Sequence, residues 1–598
     1  MAKWMSPANA PESTYITVYR NCFSVQSEQN LEFEFSADNR AQIYLDGQLL
    51  INGPERGAAE YWYLQRVKTQ VSAGDHVLTA RVISVRPADV KLREYAYAQM
   101  SIKPGFYINE KTSLLNGWEY QLEKIHAFVK PFPDWGTFPR VHLKPDHNSG
   151  ILSGIGGKWE PVAYFEDERI LHEPDLPLMR HEKIEPELVA PGLYYFRQYA
   201  CVWTDYKFKG NGTVRIRWSE TPYLTDEFDP HSLKGKKGNR DGKFFVGTPD
   251  VFEVDGETVW QDFWWKAGHY LEIAVEGDVT YEANFYLTGY PYKEFKPRSQ
   301  LEKMAFETLQ ACSFETYMDC PYYEQLQYIG DSRLEALCTY LITDDHRLIR
   351  KALRMFSLSQ RPDGSLNAQY PSCSIQTIPS FMLVWLLMLR DYHKHHGNDD
   401  LVMELRPRAE KLLEFLFANI KDDLIRIPGW NFFDWCDCWE SGVPPGGELN
   451  SAMNFMFVLA MQGAADMGFG ENLREQAERT AAKIRETFYD EERKLYALDI
   501  EKKHFSEHSQ VLALLTVRDE SVIPGLRTVK LTPCSIYFSY YYLEACLKYE
   551  LNDLLEKRLD RWRTLCSEGL TTFPEEFDNP RSDCHAWSSH ILGILLKM

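Results

Sequence analysis

At Pro297 the hydrophobic period of this 598-residue chain changes, and it does not change back. Upstream, apolar residues alternate along Leu31-Glu32-Phe33-Glu34-Phe35, Ala41-Gln42-Ile43-Tyr44-Leu45 and His76-Val77-Leu78-Thr79-Ala80-Arg81-Val82, parted by turn signals at Asp46-Gly47 and Ala73-Gly74-Asp75. A side-chain period of two with Asp/Gly turns belongs to short antiparallel strands. Downstream the period is about 3.6, that of helices. The chain exceeds the ~250–300 residues that one core supports. The change of period therefore marks a domain boundary, with β domains before it and one helical domain after it.

The β half divides again. Residues 1–109 read as an antiparallel β-sandwich. Residues 110–190, richer in Pro, Gly and His, read as a linker with short strands. Strand texture returns at Leu193-Tyr194-Tyr195-Phe196-Arg197 and continues through Leu271-Glu272-Ile273-Ala274-Val275, a second β-sandwich over 191–295. In 296–598, helical runs begin near Pro297, Ser332, His346, Gln376, Asp399, Glu448, Glu471, Ser506, Cys534, Asn552 and His585, with a weaker segment near Asp519. Ser332-Arg333-Leu334-Glu335 has capping-box form and predicts a helix start there. Ile378 to His393 is apolar nearly all round, as a helix buried between neighbours must be. About twelve helices without a short repeat suit a closed double ring of six hairpins.

Charge and punctuation exclude several classes. A net charge of −20 argues against nucleic acid or an anionic membrane as the main partner, since both require a basic footprint. No stretch approaches the ~18 uninterrupted apolar residues of a membrane span, and Met1-Ala2-Lys3-Trp4-Met5-Ser6-Pro7 lacks the apolar core of a secretory leader. The 12 cysteines are scattered, several inside helical patterns, so a reducing, cytoplasmic setting is expected. Cys436-Asp437-Cys438 and the histidines 393, 395 and 396 lack zinc-site spacing, and no metal or cofactor is expected. A homodimer is left open.

Three aromatic-rich loops carry the chemistry. Met318 to Asp331 holds Asp319, Glu324 and Asp331 beside Tyr322, Tyr323 and Tyr328, where a structural connector needs only turn residues. Trp430-Asn431-Phe432-Phe433-Asp434-Trp435-Cys436-Asp437-Cys438-Trp439 sets three tryptophans beside Asp434 and Asp437. Thr571 to Trp587 contains Glu575, Glu576, Asp583, His585 and Trp587. Glycoside hydrolysis needs two carboxyls flanking one bond, and rings that pack on the apolar face of a sugar. Loops at one end of a helical ring could bring Glu324 and Glu575 face to face. Weaker readings exist: Asp331 as a helix cap, Glu576 as a solvated acid, His585 as a helix-start residue, and the Trp430–Trp439 loop as plain core.

At these residues the chain resembles family 78 glycoside hydrolases, the α-L-rhamnosidases of the six-hairpin glycosidase superfamily. Asp319-Cys320-Pro321, then Glu324, then Gly330-Asp331 is similar to that family's Asp-Cys-Pro…Glu…Gly-Asp pattern, and Thr571-Thr572-Phe573-Pro574-Glu575 to its Thr-Thr…Glu segment. Arg361-Pro362-Asp363-Gly364 also fits, and Ser36-Ala37-Asp38-Asn39-Arg40 resembles the family's sugar-binding, jelly-roll-like β-sandwich, which the resemblance implies for 1–109. The chain differs in having Tyr322, Tyr323 and Gln325 where the family commonly has polar residues, and Gln327-Tyr328 where Gly-Trp is usual. The resemblance implies β-sandwich domains followed by an (α/α)6 barrel, and an inverting hydrolysis of terminal L-rhamnose from glycosides or oligosaccharides. Glu324 would then be the general acid and Glu575 the general base. Asp319, Asp331, Tyr328, Trp430, Asp434, Trp435, Trp439, His585 and Trp587 would bind the sugar. Two alternatives stand beside it: a barrel glycosidase for another deoxy-sugar or uronic-acid glycoside, and a non-catalytic carbohydrate-binding protein.

Overall fold

The structure, a computed structural model, describes residues 2–85, 98, 100–110, 114–129, 137–145, 150–226, 244–470, 472–578 and 580–598. Its first domain is a sandwich of two antiparallel sheets. One orders its strands Ala163–Asp167, Ala2–Ser6, Gly105–Glu110, Gln29–Asp38 and Gln65–Val71. The other orders Glu160–Pro161, Glu119–Leu122, Tyr15–Val25, Gly74–Ser84, Arg40–Leu45 and Gln48–Gly53. The alternating residues Leu31, Phe33, Phe35, Ile43, Leu78 and Val82 all point inward and are buried, as a period of two requires.

The stretch read as a linker supplies strands to both β domains. Glu119–Leu122 and Ala163–Asp167 pair into the first sandwich, while Ile125–Val129 and Arg140–Leu143 join the second sheet. These strands are too short to show a period, and only their pairing reveals them. The second domain is built on one seven-stranded sheet rather than on two separately paired ones. Its strand Leu193–Ser219 pairs with Lys266–Leu287 near both of its ends and bulges between Tyr195 and Ala200 and at Cys201–Val202. The bulges bend the strand, so the sheet wraps over its own core of Trp203, Trp218, Trp264, Trp265 and Phe285. Arg140–Leu143 lies parallel to Asp250–Gln261, the one departure from antiparallel pairing in that sheet among the described residues.

Twelve α-helices follow among the described residues: α1 Gln300–Ala311, α2 Ile329–Ile342, α3 Arg347–Leu358, α4 Pro379–His396, α5 Asp400–Ala418, α6 Ser451–Asp466, α7 Leu473–Phe488, α8 Glu507–Val517, α9 Ile523–Thr528, α10 Ser539–Lys548, α11 Asn552–Ser567 and α12 Ile591–Lys597. The even-numbered helices pack side by side, and α12 returns against α2, which closes an inner ring. The odd-numbered helices lie outside it. Inner helices are buried on nearly every side, α4 from Pro379 through Leu389 without interruption. The domain is an (α/α)6 barrel.

Local capping sets some helix starts and tertiary contact sets others. Ser299 caps α1, Asp399 caps α5 and Asn450 caps α6, each side chain accepting from a backbone N–H of the first turn. α2 begins at Ile329, one turn before the expected start at Ser332. Tyr328 bridges Gln369, and Ile329 N donates to Ala368 O at 2.9 Å, so the neighbouring loop nucleates the helix early. Ser332 Oγ and both Glu335 oxygens then lie inside α2 with no hydrogen-bond partner among the described residues, and no capping box forms. The last run is split into a 3-10 turn, Ala586–His590, and α12.

Candidate active site

The acid-rich loop is fixed from both sides. Asp319 N donates to Leu326 O at 2.7 Å and Asp319 Oδ1 accepts from Leu326 N at 2.9 Å, which closes the segment into a tight loop. Gln325 adopts a left-handed backbone (φ 56°) within it. Tyr322, Tyr323 and Gln325 face away from the barrel and bind the second β domain: Tyr322 Oη donates to Trp218 O (2.9 Å), Trp264 Nε1 donates to Gln325 Oε1 (2.7 Å), and Tyr323 Oη meets Tyr223 Oη (2.8 Å). The residues that depart from the family pattern thus contact the sheet. Glu324 lies between them and turns the other way, into the barrel mouth.

The second loop is anchored to the first. Ala586 N donates to Asp319 O at 2.7 Å, His585 N to Phe573 O at 2.9 Å, and Trp587 Nε1 to Glu575 O at 2.9 Å. Glu575 is thereby held above a cavity of about 620 Å³ at the end of the barrel, with Glu324 also in its wall. Between the two carboxylates sits Arg581. Its Nη1 lies 2.7 Å from Glu324 Oε1, and its Nε lies 3.3 Å from Glu575 Oε2. Burial opposes the charge on Arg581, but Glu575 and Glu324 hold its pKa well above the ordinary guanidinium value.

Deeper in the cavity, His585 Nε2 lies 3.2 Å from Asp331 Oδ1, both side chains being almost wholly buried. Burial alone would lower the imidazole, yet the carboxylates of Glu575 and Asp331 keep its pKa raised. Asp319 is pushed well up by burial and by the neighbouring Glu324 and Asp331 carboxylates, against His585. Glu335, one turn along α2 from Asp331, is raised well above the carboxylate range by burial and by Asp331 and Asp319. Burial and like charge thus disfavour the ionised form of both carboxyls. Glu576 is raised to about 8 by burial, then by Glu575, Asp434 and Asp437.

Of the eleven site residues expected from sequence, the cavity wall includes Asp319, Glu324, Tyr328, Asp331, Trp430, Trp435, Glu575, His585 and Trp587. Two lie elsewhere. Asp434 is completely buried, and its carboxylate accepts from His508 Nε2 (2.7 Å), from Ser535 N (2.9 Å) and from Ser535 Oγ. It ties the tryptophan loop to α8 and to the segment before α10. Trp439 packs on His508, with centroids 4.7 Å apart, and faces a neighbouring cavity. Within that irregular loop, Trp430, Phe432 and Trp435 line the cavity while Asp434 is buried away from it. Sequence reasoning missed Arg581, Phe381, Phe432 and Gln376. Arg581 stands in an irregular Pro-containing loop with no period to aim it, and Phe381 reads as one more apolar residue of α4.

Residues 298–518 match the family described as the bacterial α-L-rhamnosidase six-hairpin glycosidase domain. The matched stretch runs from α1 to α8 of the barrel. The likeness in fold extends to whole solved structures. The family 78 rhamnosidase of Bacillus sp. GL1 is 15% identical, with 100% of this chain and 91% of that one covered at a TM-score of 0.81. The α-L-rhamnosidase of Dictyoglumus thermophilum is 16% identical, over 99% of this chain and 73% of that one, at 0.73. A rhamnosidase from Klebsiella oxytoca with rhamnose bound is 17% identical, over 71% and 96%, at 0.58. A comparison with curated protein sequences found no match. Both carboxylates face the mouth of the barrel, Glu324 from the loop between α1 and α2, within the matched residues, and Glu575 from the loop after α11, beyond them.

Proposed function

We propose that the protein is an inverting α-L-rhamnosidase. The observation that carries this reading is the meeting of Glu324 and Glu575, from opposite ends of the barrel's sequence, in one cavity walled by Tyr328, Phe381, Trp430, Phe432, Trp435 and Trp587. In this reading Glu324 protonates the glycosidic oxygen while Glu575 takes a proton from the attacking water. A guanidinium lies between the two carboxylates, which supports the wider separation of about 6.5–9.5 Å used by inverting enzymes over the about 5–5.5 Å of retaining ones. A carboxyl that donates its proton cannot keep an ion pair as its partner, so Arg581 must follow Glu575 when sugar enters. Asp319 and the Asp331–His585 pair, all in the cavity wall, would hold the ring hydroxyls. The aromatic walls suit a 6-deoxy sugar, whose methyl group gains from leaving water.

A panel of nitrophenyl glycosides tests the substrate class. Turnover should be largest on the α-L-rhamnoside, and hydrolysis of a different glycoside with none of this one would sink the assignment. Proton NMR in the first minutes should show the inverted anomer of rhamnose first. Early appearance of the retained anomer would overturn the mechanism.

A further inference from the structure

The sugar cavity shares a wall, Trp435 and Glu576, with a second and larger cavity of about 1170 Å³. The charge around this second cavity runs against that of the whole molecule. The chain carries 86 acidic and 66 basic residues, yet Arg493, Lys502, Lys503, Lys530 and Arg561 line this space against Asp437, Glu576 and Asp578. Glu576 does not count as an anion below its pKa of about 8. Arg493 pairs with Asp490 at 2.7 Å and Arg561 with Asp578 at 2.7 Å. Lys502 Nζ donates to Tyr489 O at 2.6 Å and has no carboxylate partner among the described residues. Lys503 and Lys530 are exposed and likewise have no carboxylate partner among the described residues. Rings are present too. Arg561 lies over Phe577 at 3.9 Å and Arg493 over Phe505 at 5.3 Å, and Trp435 and Trp439 line the cavity.

Lysines that face an aromatic cleft without carboxylate partners attract anions, and a cleft focuses that field. Rings beside them offer the stacking face that a sugar needs. We infer that the second cavity binds an acidic sugar of the same glycoside, a residue carrying a carboxylate or a sulfate ester, while the terminal sugar occupies the first. The inference rests on the glycosidase reading and adds to it the charge class of the substrate beyond the ring that is cleaved. Trp435 and the uncharged Glu576 form the shared wall, so an anion passing from one cavity to the other meets no carboxylate charge there.

The test uses the full chain and three methyl glycosides: a β-D-glucuronide, a 6-sulfated glucoside and an unmodified glucoside, each titrated by NMR. At least one acidic glycoside should bind about tenfold more tightly than the neutral one, with the preference shrinking as salt is added. The carboxylate and sulfate arms show which anion the site takes. Lys503→Glu combined with Lys530→Glu should abolish the preference while nitrophenyl α-L-rhamnoside turnover, which needs the first cavity alone, stays within about twofold. Equal binding of all three glycosides, or a preference that survives in the double variant, overturns the inference. Failure of the rhamnosidase reading shows separately, as absent turnover of the nitrophenyl rhamnoside by the unmodified protein.

Discussion

In the proposed mechanism two carboxylates and one guanidinium hold the chemistry, and each has its own expected response to substitution. Glu324→Gln should lower kcat by about 10²–10⁴ on glycosides with poor leaving groups and much less on activated aryl glycosides, because those need little protonation. Equal losses on both would show that Glu324 is not the acid. Glu575→Ala should depress all leaving groups alike, and azide should restore turnover if a small anion can occupy the vacated place. Glu576 provides a pH test. Its carboxyl ionises at about 8 in the folded protein, against about 4.3 for a free glutamate. The unfolded chain therefore releases this proton first as pH rises, and the group subtracts stability progressively from about pH 4 to pH 8. Glu576→Gln should melt about 2 °C higher than the parent at pH 8 and equally at pH 4. No difference at pH 8 would show that Glu576 is ionised freely in the fold.

At the scale of elements, Gly330 shows what a short motif encodes. A Cβ built there would lie 2.5 Å from the ring of Phe381, so α2 can approach α4 this closely only with glycine at that position. Gly330→Ala should push the cavity wall outward, costing about 1–3 kcal/mol of stability and raising KM. An unchanged KM with normal stability would mean that Phe381 yields without moving the site. This also explains why parts of the molecule were legible before any coordinates. Asp399 announces its helix because a side-chain cap and a 3.6 period act locally, within one turn. The start of α2 was misplaced because its cause, Ala368 O, lies far off in sequence. The acids were legible because carboxylates are rare among rings without a reason. Asp434 obeyed the same rule and serves the scaffold, since nothing in its own loop announces His508 and Ser535. Arg581 was invisible for the opposite reason: its meaning comes wholly from Glu324 and Glu575, which a linear reading cannot place beside it.

At the scale of the whole molecule, the first sandwich is bound to the barrel by buried charge. Lys351 Nζ on α3 lies 2.6 Å from Glu55, with 0% and 5% of the two side chains exposed, and Arg40 meets Glu315 at 2.8 Å. Removing one partner leaves the other uncompensated in a dry interface. Lys351→Ala should cost about 3–5 kcal/mol, whereas Lys351→Met with Glu55→Leu should recover most of it. Denaturant midpoints of the three proteins check this, and a harmless single variant would show that water reaches the pair. The coupling extends to the site. Tyr370 Oη donates to Glu60 of the sandwich at 2.6 Å, next to the cavity residue Gln369. The sandwich is therefore part of the cavity's support, and Lys351→Ala should also raise KM.

Arg581, placed between Glu324 and Glu575, has a pharmacological consequence. Cyclic amines that mimic a sugar usually bind glycosidases through an ammonium paired with the catalytic carboxylates. In this protein a resident cation already occupies that position at 2.7 and 3.3 Å, so such an inhibitor must evict a guanidinium before it can form its own ion pairs. A rhamnose-configured iminosugar is expected to bind weakly, and Arg581→Gln to bind it about tenfold more tightly by calorimetry. If the variant shows no gain, the guanidinium and the drug's ammonium do not compete for the same two anions. A neutral, half-chair-shaped mimic would be unaffected by this exchange, which makes it the better starting point for an inhibitor.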